Sequence, residues 1–519
     1  MPIINTNQFW NYIINEPVYM INECKTILTF KEYNFDTKSY DTSIFYQEIS
    51  KFNVDGIIYE TLRFPGGLTK YLAEKTGIAV ENQNTYDKIE LKSIYELAEK
   101  IKLINPNYEI RDYQVEAVQT SLEQYRSLIT MATGSGKTSV MCLLCEYIKN
   151  YKILILNNNN FILTQIYDRL KSFGEENVSW NPSKEPDYSK RIVLLNTASS
   201  NIRLCKQDEN YLKFLNEVET VIWDEAHGVQ AITFFEPLFY TNPEKLKHII
   251  GYTGTPFREY KRPYTNSKDF CLISLLGEPS YQYNMKDSIQ DENIAQPYVY
   301  FIRYKNKIPF IPEQYKDSYY MQYRASITYN KARNTAGIEM LKFLDKHNIK
   351  TMASLNNIKF GQKVLKELTE NGVKCLFICG DETIYEWKQG KRKGSLKLDK
   401  RSGNVETIKT ALRNEYNIIF SSQVFDAGVD IDIFQAVLLW SGNKETIPYL
   451  QRIGRGTRKK VNGMNVSLAI DFKDTGGLYT FEDHYLKRKK LMEDSGIKIL
   501  ADVHDFIKLV EDIENAKEE

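Results

Sequence analysis

A chain of 519 residues, at roughly 150 per domain, is expected to fold as about three domains rather than around one core. Hydrophobic residues at 42% and charged residues at 26% exclude a disordered or collagen-like chain, and no apolar run approaches the roughly 18 residues of a membrane span. Lys plus Arg number 68 against 67 Asp plus Glu, so no global positive field exists, and any nucleic-acid partner has to be held by locally arranged cations.

The N-terminus shows no basic, then apolar, then small-residue succession, so no export signal is read there. Seven cysteines are sparse and odd in number, which suits a reducing compartment better than a disulfide framework. A cytoplasmic location is expected, the host cytoplasm if the protein is viral. Residues 1–105 carry no phosphate-binding signature; a strand-like run at Lys25–Phe30 and a helix at Leu68–Lys75 predict a small α+β accessory domain. From Tyr113 to Asp224, helical stretches alternate with β-rich runs at Ile153–Leu156, Ile192–Leu195 and Val218–Trp223. After a connecting stretch near Asp291–Pro297 comes a second series: Lys350–Ser354, Val373–Cys379, Asn417–Ser421, Ala436–Trp440 and Val466–Ile470. Such alternation predicts two α/β units in tandem, each a parallel sheet covered by helices. Cys142 and Cys145 have a metal-like spacing but fall in an apolar helix, and Cys375 and Cys379 fall in a strand-like run, so both pairs read as core packing rather than zinc.

Between the apolar Ser127–Met131 and a helix expected from about Ser139 stands Ala132-Thr133-Gly134-Ser135-Gly136-Lys137-Thr138. A strand-to-helix turn of small residues leaves backbone N–H groups free to face phosphate oxygens, and the helix N-terminus adds a favourable potential. Lys137 supplies a mobile positive charge and Thr138 a hydroxyl for Mg2+, so Thr133, Gly134, Ser135, Gly136, Lys137 and Thr138 are the candidate ATP-binding residues. Met131 stands where the general P-loop pattern has glycine. Farther on, Val221-Ile222-Trp223-Asp224-Glu225-Ala226-His227 reads as an apolar strand ending in two acids, which brings both to the phosphate edge of the sheet. Asp224 is the candidate partner of hydrated Mg2+, whereas Glu225 can orient and deprotonate an attacking water. His227 is either a solvated helix-start residue or a relay from the nucleotide.

Together with further motifs in the same order, these resemble the series of the superfamily 2 helicases. Arg111-Asp112-Tyr113-Gln114 resembles the motif whose glutamine reads adenine, which implies base recognition by Gln114 with Arg111 in support. Thr253-Gly254-Thr255-Pro256 resembles motif III, Gly428-Val429-Asp430 motif V, and Gln451-Arg452-Ile453-Gly454-Arg455-Gly456-Thr457-Arg458 motif VI. The resemblance covers roughly Arg111–Asp471 and implies two tandem RecA-like parallel-sheet motor domains at 106–293 and 294–475, followed by a helical tail at 476–519. It also implies that Gly428 and Asp430 belong to the nucleotide site and that Gln451, Arg455 and Arg458 act with Lys137, Asp224 and Glu225 in catalysis. Guanidinium groups donate planar, bidentate hydrogen bonds to phosphate, so Arg455 and Arg458 are finger candidates; such a finger is worth about 10³- to 10⁵-fold in rate.

By the same resemblance, Asn157–Asn160 with Gln165 and Thr197 occupy positions that touch a single strand, although asparagines after a strand also read simply as a turn. Two basic clusters, Lys388–Arg401 and Lys487–Lys490, are candidate phosphate contacts, the first within a flexible insertion. The Asp-Glu-Ala-His and Thr-Gly-Thr-Pro forms resemble those of DNA repair, recombination and restriction translocases, and Phe64-Pro65-Gly66-Gly67-Leu68 is similar to the accessory region of UvsW-type phage helicases. These imply a DNA helicase or translocase, 3′ to 5′ in direction, with single-stranded and branched DNA as partners beside recombination or replication proteins. An RNA helicase is one alternative, and a nucleotide-controlled binding module that does not travel is another.

Overall fold

The computed structural model describes residues 3–5, 10–34, 39–55, 57–82, 88–228, 236–257, 267–355, 357–379, 383–389, 396–402, 410, 413, 415–421, 433–442, 446–454, 456–457 and 464–516. Two compact units account for them: residues 1–131 with 136–283, and residues 284–519 with the four residues 132–135.

The first unit opens with strands β1 (Ile3–Asn5), β2 (Trp10–Pro17), β3 (Thr29–Asn34), β4 (Ser39–Ile44), β5 (Gln47–Val54), β6 (Ile57–Pro65) and β7 (Val80–Asn82). Five of them make a mixed sheet in the order β5-β6-β2-β1-β7, and β3 pairs only with β4. The run Lys25–Phe30 is not one strand, because Lys25–Ile27 closes the helix Val18–Ile27 and β3 begins at Thr29. Lys25 is held there by charge: its Nζ lies 2.7 Å from the carboxylate of Glu60, which is fully buried on β6 and needs a cation. Helix Thr69–Thr76 follows as expected.

A second sheet in the same unit uses β8 (Arg126–Met131), β9 (Ile153–Asn157), β10 (Val178–Ser179), β11 (Ile192–Asn196), β12 (Thr220–Asp224), β13 (His248–Thr253) and β14 (Pro279–Tyr283), in the order β10-β11-β9-β12-β13-β8-β14. Every pairing is parallel. Continuous burial of β9, β12 and β13 explains why their sequences run largely apolar instead of alternating. The accessory sheet shares a core with this part of the unit: Phe64, Leu68 and Leu72 cluster with Phe270 and Ile273 of helix Ser267–Leu276. Gly67 is required at that contact, since a Cβ on it would lie 2.1 Å from the carbonyl oxygen of Ile273.

In the second unit a nine-stranded sheet combines β15 (Gln296–Ile302), β16 (Thr351–Ser354), β17 (Cys375–Cys379), β18 (Thr383–Gln389), β19 (Leu396–Ser402), β20 (Ile418–Ser421), β21 (Ala436–Leu439), β22 (Val466–Phe472) and β23 (Lys498–Ile499). Their order is β19-β18-β17-β20-β16-β21-β22-β15-β23, parallel except where β18 meets β17 and β19. The insertion expected to be flexible is therefore, in its described part, an antiparallel extension of the sheet. Trp387 fixes it by donating from Nε1 to the carbonyl oxygen of Gln362 at 3.1 Å; Lys391, Arg392 and Lys393 lie outside the described residues. The second basic cluster is also altered by packing. Arg488, on helix Tyr479–Asp494, is turned into the core, where it meets Asp471 at 2.8 Å and Asp474 at 3.0 Å. The C-terminal stretch carries β23 besides its helices, so it completes the sheet rather than trailing from it.

Candidate nucleotide and nucleic-acid site

The loop after β8 leads directly into helix Lys137–Tyr147, two residues before the expected start. Gly134 and Gly136 have φ of +89° and +88°, values that glycine tolerates and that turn successive N–H groups toward one side. Ser135 closes the turn with a 2.7 Å hydrogen bond from Oγ to the carbonyl oxygen of Ala132, and Lys137 Nζ donates to that of Met131 at 3.4 Å. Gln114 sits against the same loop, since a Cβ on Gly136 would come within 2.5 Å of its Nε2. The side chain is held from the other end by the backbone N–H of Arg111, which donates to Oε1 at 3.2 Å. Arg111 in turn donates to the hydroxyl of Tyr113, whose ring stacks on Tyr283 at 3.9 Å between centroids. Arg111, Gln114 and the loop thus share one rim. Cys142 and Cys145 are buried in the helix after the loop, and burial pushes the thiol of Cys145 up to about 12.

One strand, β13, separates β12 from β8. Asp224 ends β12 and is buried; Asn157 at the end of β9 donates to its carboxylate at 3.1 Å and to its carbonyl oxygen at 3.2 Å. Burial first, then the neighbouring Glu225 carboxylate, raises the Asp224 carboxyl to about 7 against the opposing pull of Lys137. Glu225 has φ of +51°, a left-handed conformation that a side-chain-bearing residue adopts at a cost of about 1–2 kcal/mol. Its carboxylate stands 3.3 Å from Nδ1 of His227, and that nitrogen is 2.9 Å from Oγ1 of Thr253 at the end of β13. His227 is therefore tied between two motifs rather than solvated at a helix start. Thr253 Oγ1 also accepts from the backbone of Thr255 at 3.3 Å.

Asn157 spends its amide on Asp224, so it leaves the row of asparagines expected to touch a strand. Asn159 caps helix Asn160–Ser172, and Asn196 caps helix Thr197–Cys205 while donating to Asn160 Oδ1 at 2.9 Å. Thr197 is buried. Sequence reasoning gave Asn157 to the single-strand track instead of to Asp224 and missed Asn196; the available signal was that each is the polar residue closing an apolar run.

In the second unit, helix Thr446–Gly454 presents Gln451 and Arg452. Arg452 donates to Ser441 Oγ at 2.6 Å, whereas the buried Nε2 of Gln451 has no hydrogen-bond partner among the described residues. Gly428, Asp430, Arg455 and Arg458 lie outside the described residues.

Residues 107–258 match the family of type III restriction enzyme res subunits. The chain is 23% identical over 420 residues to the ATP-dependent DNA helicase uvsW of Enterobacteria phage T4, covering 76% of this chain and 75% of that protein. It is also 23% identical over 383 residues to the DNA 3′-5′ translocase XPB2 of Sulfurisphaera tokodaii, covering 69% and 80%. The chain is thus similar to superfamily 2 helicases and translocases. Helicase 22 of Sulfolobus islandicus filamentous virus is 24% identical over 383 residues, and the chain spans 63% of its length. Among solved structures, Dbp5 of S. cerevisiae bound to RNA and ADP BeF3 superposes with a TM-score of 0.53 at 13% identity, covering 82% of this chain and all of Dbp5. MrfA bound to DNA and AMPPNP gives 0.52 at 13% identity, covering 95% of this chain and 60% of MrfA. These likenesses establish tandem RecA-like folds in this chain. Among the described residues no helix is long and apolar enough to cross a membrane.

Proposed function

We propose that this chain is a helicase that couples ATP hydrolysis to 3′ to 5′ movement on DNA and remodels branched DNA. The row Glu225, His227, Thr253, in which His227 Nδ1 stands 3.3 Å from the Glu225 carboxylate and 2.9 Å from Thr253 Oγ1, carries the reading, because it links the acid beside the phosphate loop to the Thr-Gly-Thr-Pro segment at the neighbouring strand end. DNA and polarity are supported by the relatives called DNA helicase and DNA 3′-5′ translocase.

The residues present fit a nucleotide with Mg2+. Two positive-φ glycines, a helix N-terminus and Lys137 suit phosphate oxygens, and a buried carboxyl raised to about 7 is a group that a divalent cation relieves. Thr138 and Asp224 would hold the metal, Thr133 to Lys137 the phosphates, and Gln114 with Arg111 the base. When bound, Mg2+ would supply positive charge to offset that of the phosphates. Glu225 accepts a proton from the attacking water and holds it in line. Gln451, whose buried amide Nε2 has no hydrogen-bond partner among the described residues, and Arg455 and Arg458 are the phosphate-contacting candidates by their motif; Gly428 and Asp430 take part through motif V.

ATPase stimulation by matched DNA and RNA, followed by triplex displacement and a panel of forks and four-way junctions, tests this. Stimulation by DNA together with displacement is the expected result. Stimulation by RNA alone overturns the substrate, and stimulation without displacement overturns movement.

A further inference from the structure

The carboxyl ends of β10 and β11 form a second polar crest in the first unit, apart from the acid pair. Residues 180–190 join the two strands and are held as a fixed wall. Asn181 Oδ1 accepts from the backbone of Ser183 at 2.9 Å and Asp187 Oδ1 from that of Ser189 at 3.0 Å, while the Asp187 N–H donates to Ser179 Oγ at 2.8 Å. Tyr188 anchors the wall on Phe214 at 5.3 Å between ring centroids. Helix Thr197–Cys205 faces this wall across a groove. A cavity of about 630 Å³ occupies one part and one of about 70 Å³ the other, and Pro186, Ser199 and Arg203 line both.

Trp180, Asn160, Asn196 and Lys184 line the smaller cavity. Trp180 is half-buried, and its Nε1 donates to Thr164 Oγ1 at 3.0 Å, so the polar edge of the indole is satisfied and its orientation is set. Arg203 brings a guanidinium whose Nη1 lies 2.6 Å from Glu185 and 3.1 Å from Asp208, and whose buried Nε has no hydrogen-bond partner among the described residues. Glu185 is 81% exposed, so water weakens its hold and an incoming phosphate competes for the guanidinium. One oriented aromatic ring, side-chain amides and cations along a groove are the chemistry that binds a single-stranded nucleic acid, with a base stacked on the ring and phosphates on the cations.

We propose that Trp180 stacks on a base of the single strand that this end of the sheet is expected to carry, an inference that rests on the nucleic-acid reading above. An oligothymidylate and an abasic sugar-phosphate chain of equal length are the probes, and affinity for each is measured with the full chain. Wild-type protein should prefer the base-bearing chain, and Trp180→Leu should lower that preference by roughly 5- to 150-fold while Trp180→Phe retains most of it. Intrinsic fluorescence supplies a measurement that does not depend on the leucine variant: oligothymidylate should quench wild-type emission, the abasic chain should not, and Trp180→Phe should lose that quench. A Trp180→Leu protein with wild-type preference, or a quench that survives in Trp180→Phe, overturns the stacking role and leaves the function intact. Wild-type protein that binds neither chain overturns the nucleic-acid reading itself, and this proposal with it.

Discussion

His227 Nδ1 lies 2.9 Å from Thr253 Oγ1, a contact between residues 26 positions apart that joins the ends of two neighbouring parallel strands. The same nitrogen faces the Glu225 carboxylate at 3.3 Å, so a change at the proposed hydrolytic acid is felt one strand away. Thr253→Val keeps the shape of the side chain and deletes the hydroxyl. ATP hydrolysis should persist while displacement per ATP falls about 5- to 10-fold, in keeping with one hydrogen bond of about 1 kcal/mol. A stopped-flow displacement assay run beside phosphate release decides it; equal loss of both would assign Thr253 to hydrolysis.

Lys137→Ala should reduce ATP turnover by at least ~100-fold, because a methyl group cannot offset phosphate charge at the head of the helix. Steady-state phosphate release measures it, and near-normal turnover would remove Lys137 from the site.

Glu225→Gln retains the shape and loses the base, so nucleotide binding should persist while hydrolysis drops by about 10²- to 10⁴-fold. Titration with a fluorescent ATP analogue separates the two effects. Loss of binding would mean that the left-handed backbone at this position, rather than the carboxylate's chemistry, is what the glutamate maintains.

Gly67→Ala forces a methyl group to within 2.1 Å of the Ile273 carbonyl oxygen and 2.6 Å of that of Ser274. Backbone cannot yield as a flexible side chain does, so a loss of about 1–3 kcal/mol is expected, read as a lowered thermal midpoint. Truncation before Asn105 removes the cover from Phe270 and Ile273 and should give insoluble protein. A soluble truncation with wild-type ATPase would show that the shared core is dispensable.

Burial holds the His248 imidazole down at about 4, despite the Gln124 carbonyl oxygen 3.1 Å from its Nδ1. In the unfolded chain it titrates near 6.5. Between these values the unfolded chain binds a proton that the folded one refuses, so the contribution to stability is complete above about 6.5 and is lost as pH falls toward 4. The loss is on the order of 3 kcal/mol. Denaturant unfolding at pH 7.5 and 4.5 should show a smaller pH difference for His248→Gln than for wild type; identical differences would place the acid sensitivity elsewhere.

Local chemistry made much of this protein legible from its sequence. Buried parallel strands must be nearly all apolar, so β9, β11, β12 and β20 stand out as short runs, and a turn of the phosphate-binding type needs glycines, so residues 132–138 are recognisable before any fold is known. Strand order is not local. Asn157 meets Asp224 across 67 residues only because β9 and β12 are neighbours, and no feature of either residue's flanks encodes that adjacency. The same limit hid the inward turn of Arg488, whose Lys-rich surroundings read as surface until Asp471 and Asp474 are brought beneath it. Trp180 is the sharpest case: by itself it is an aromatic residue in a loop, and only the packing of β10 against β11, with the helix carrying Thr164 beside them, sets its ring at the edge of a groove.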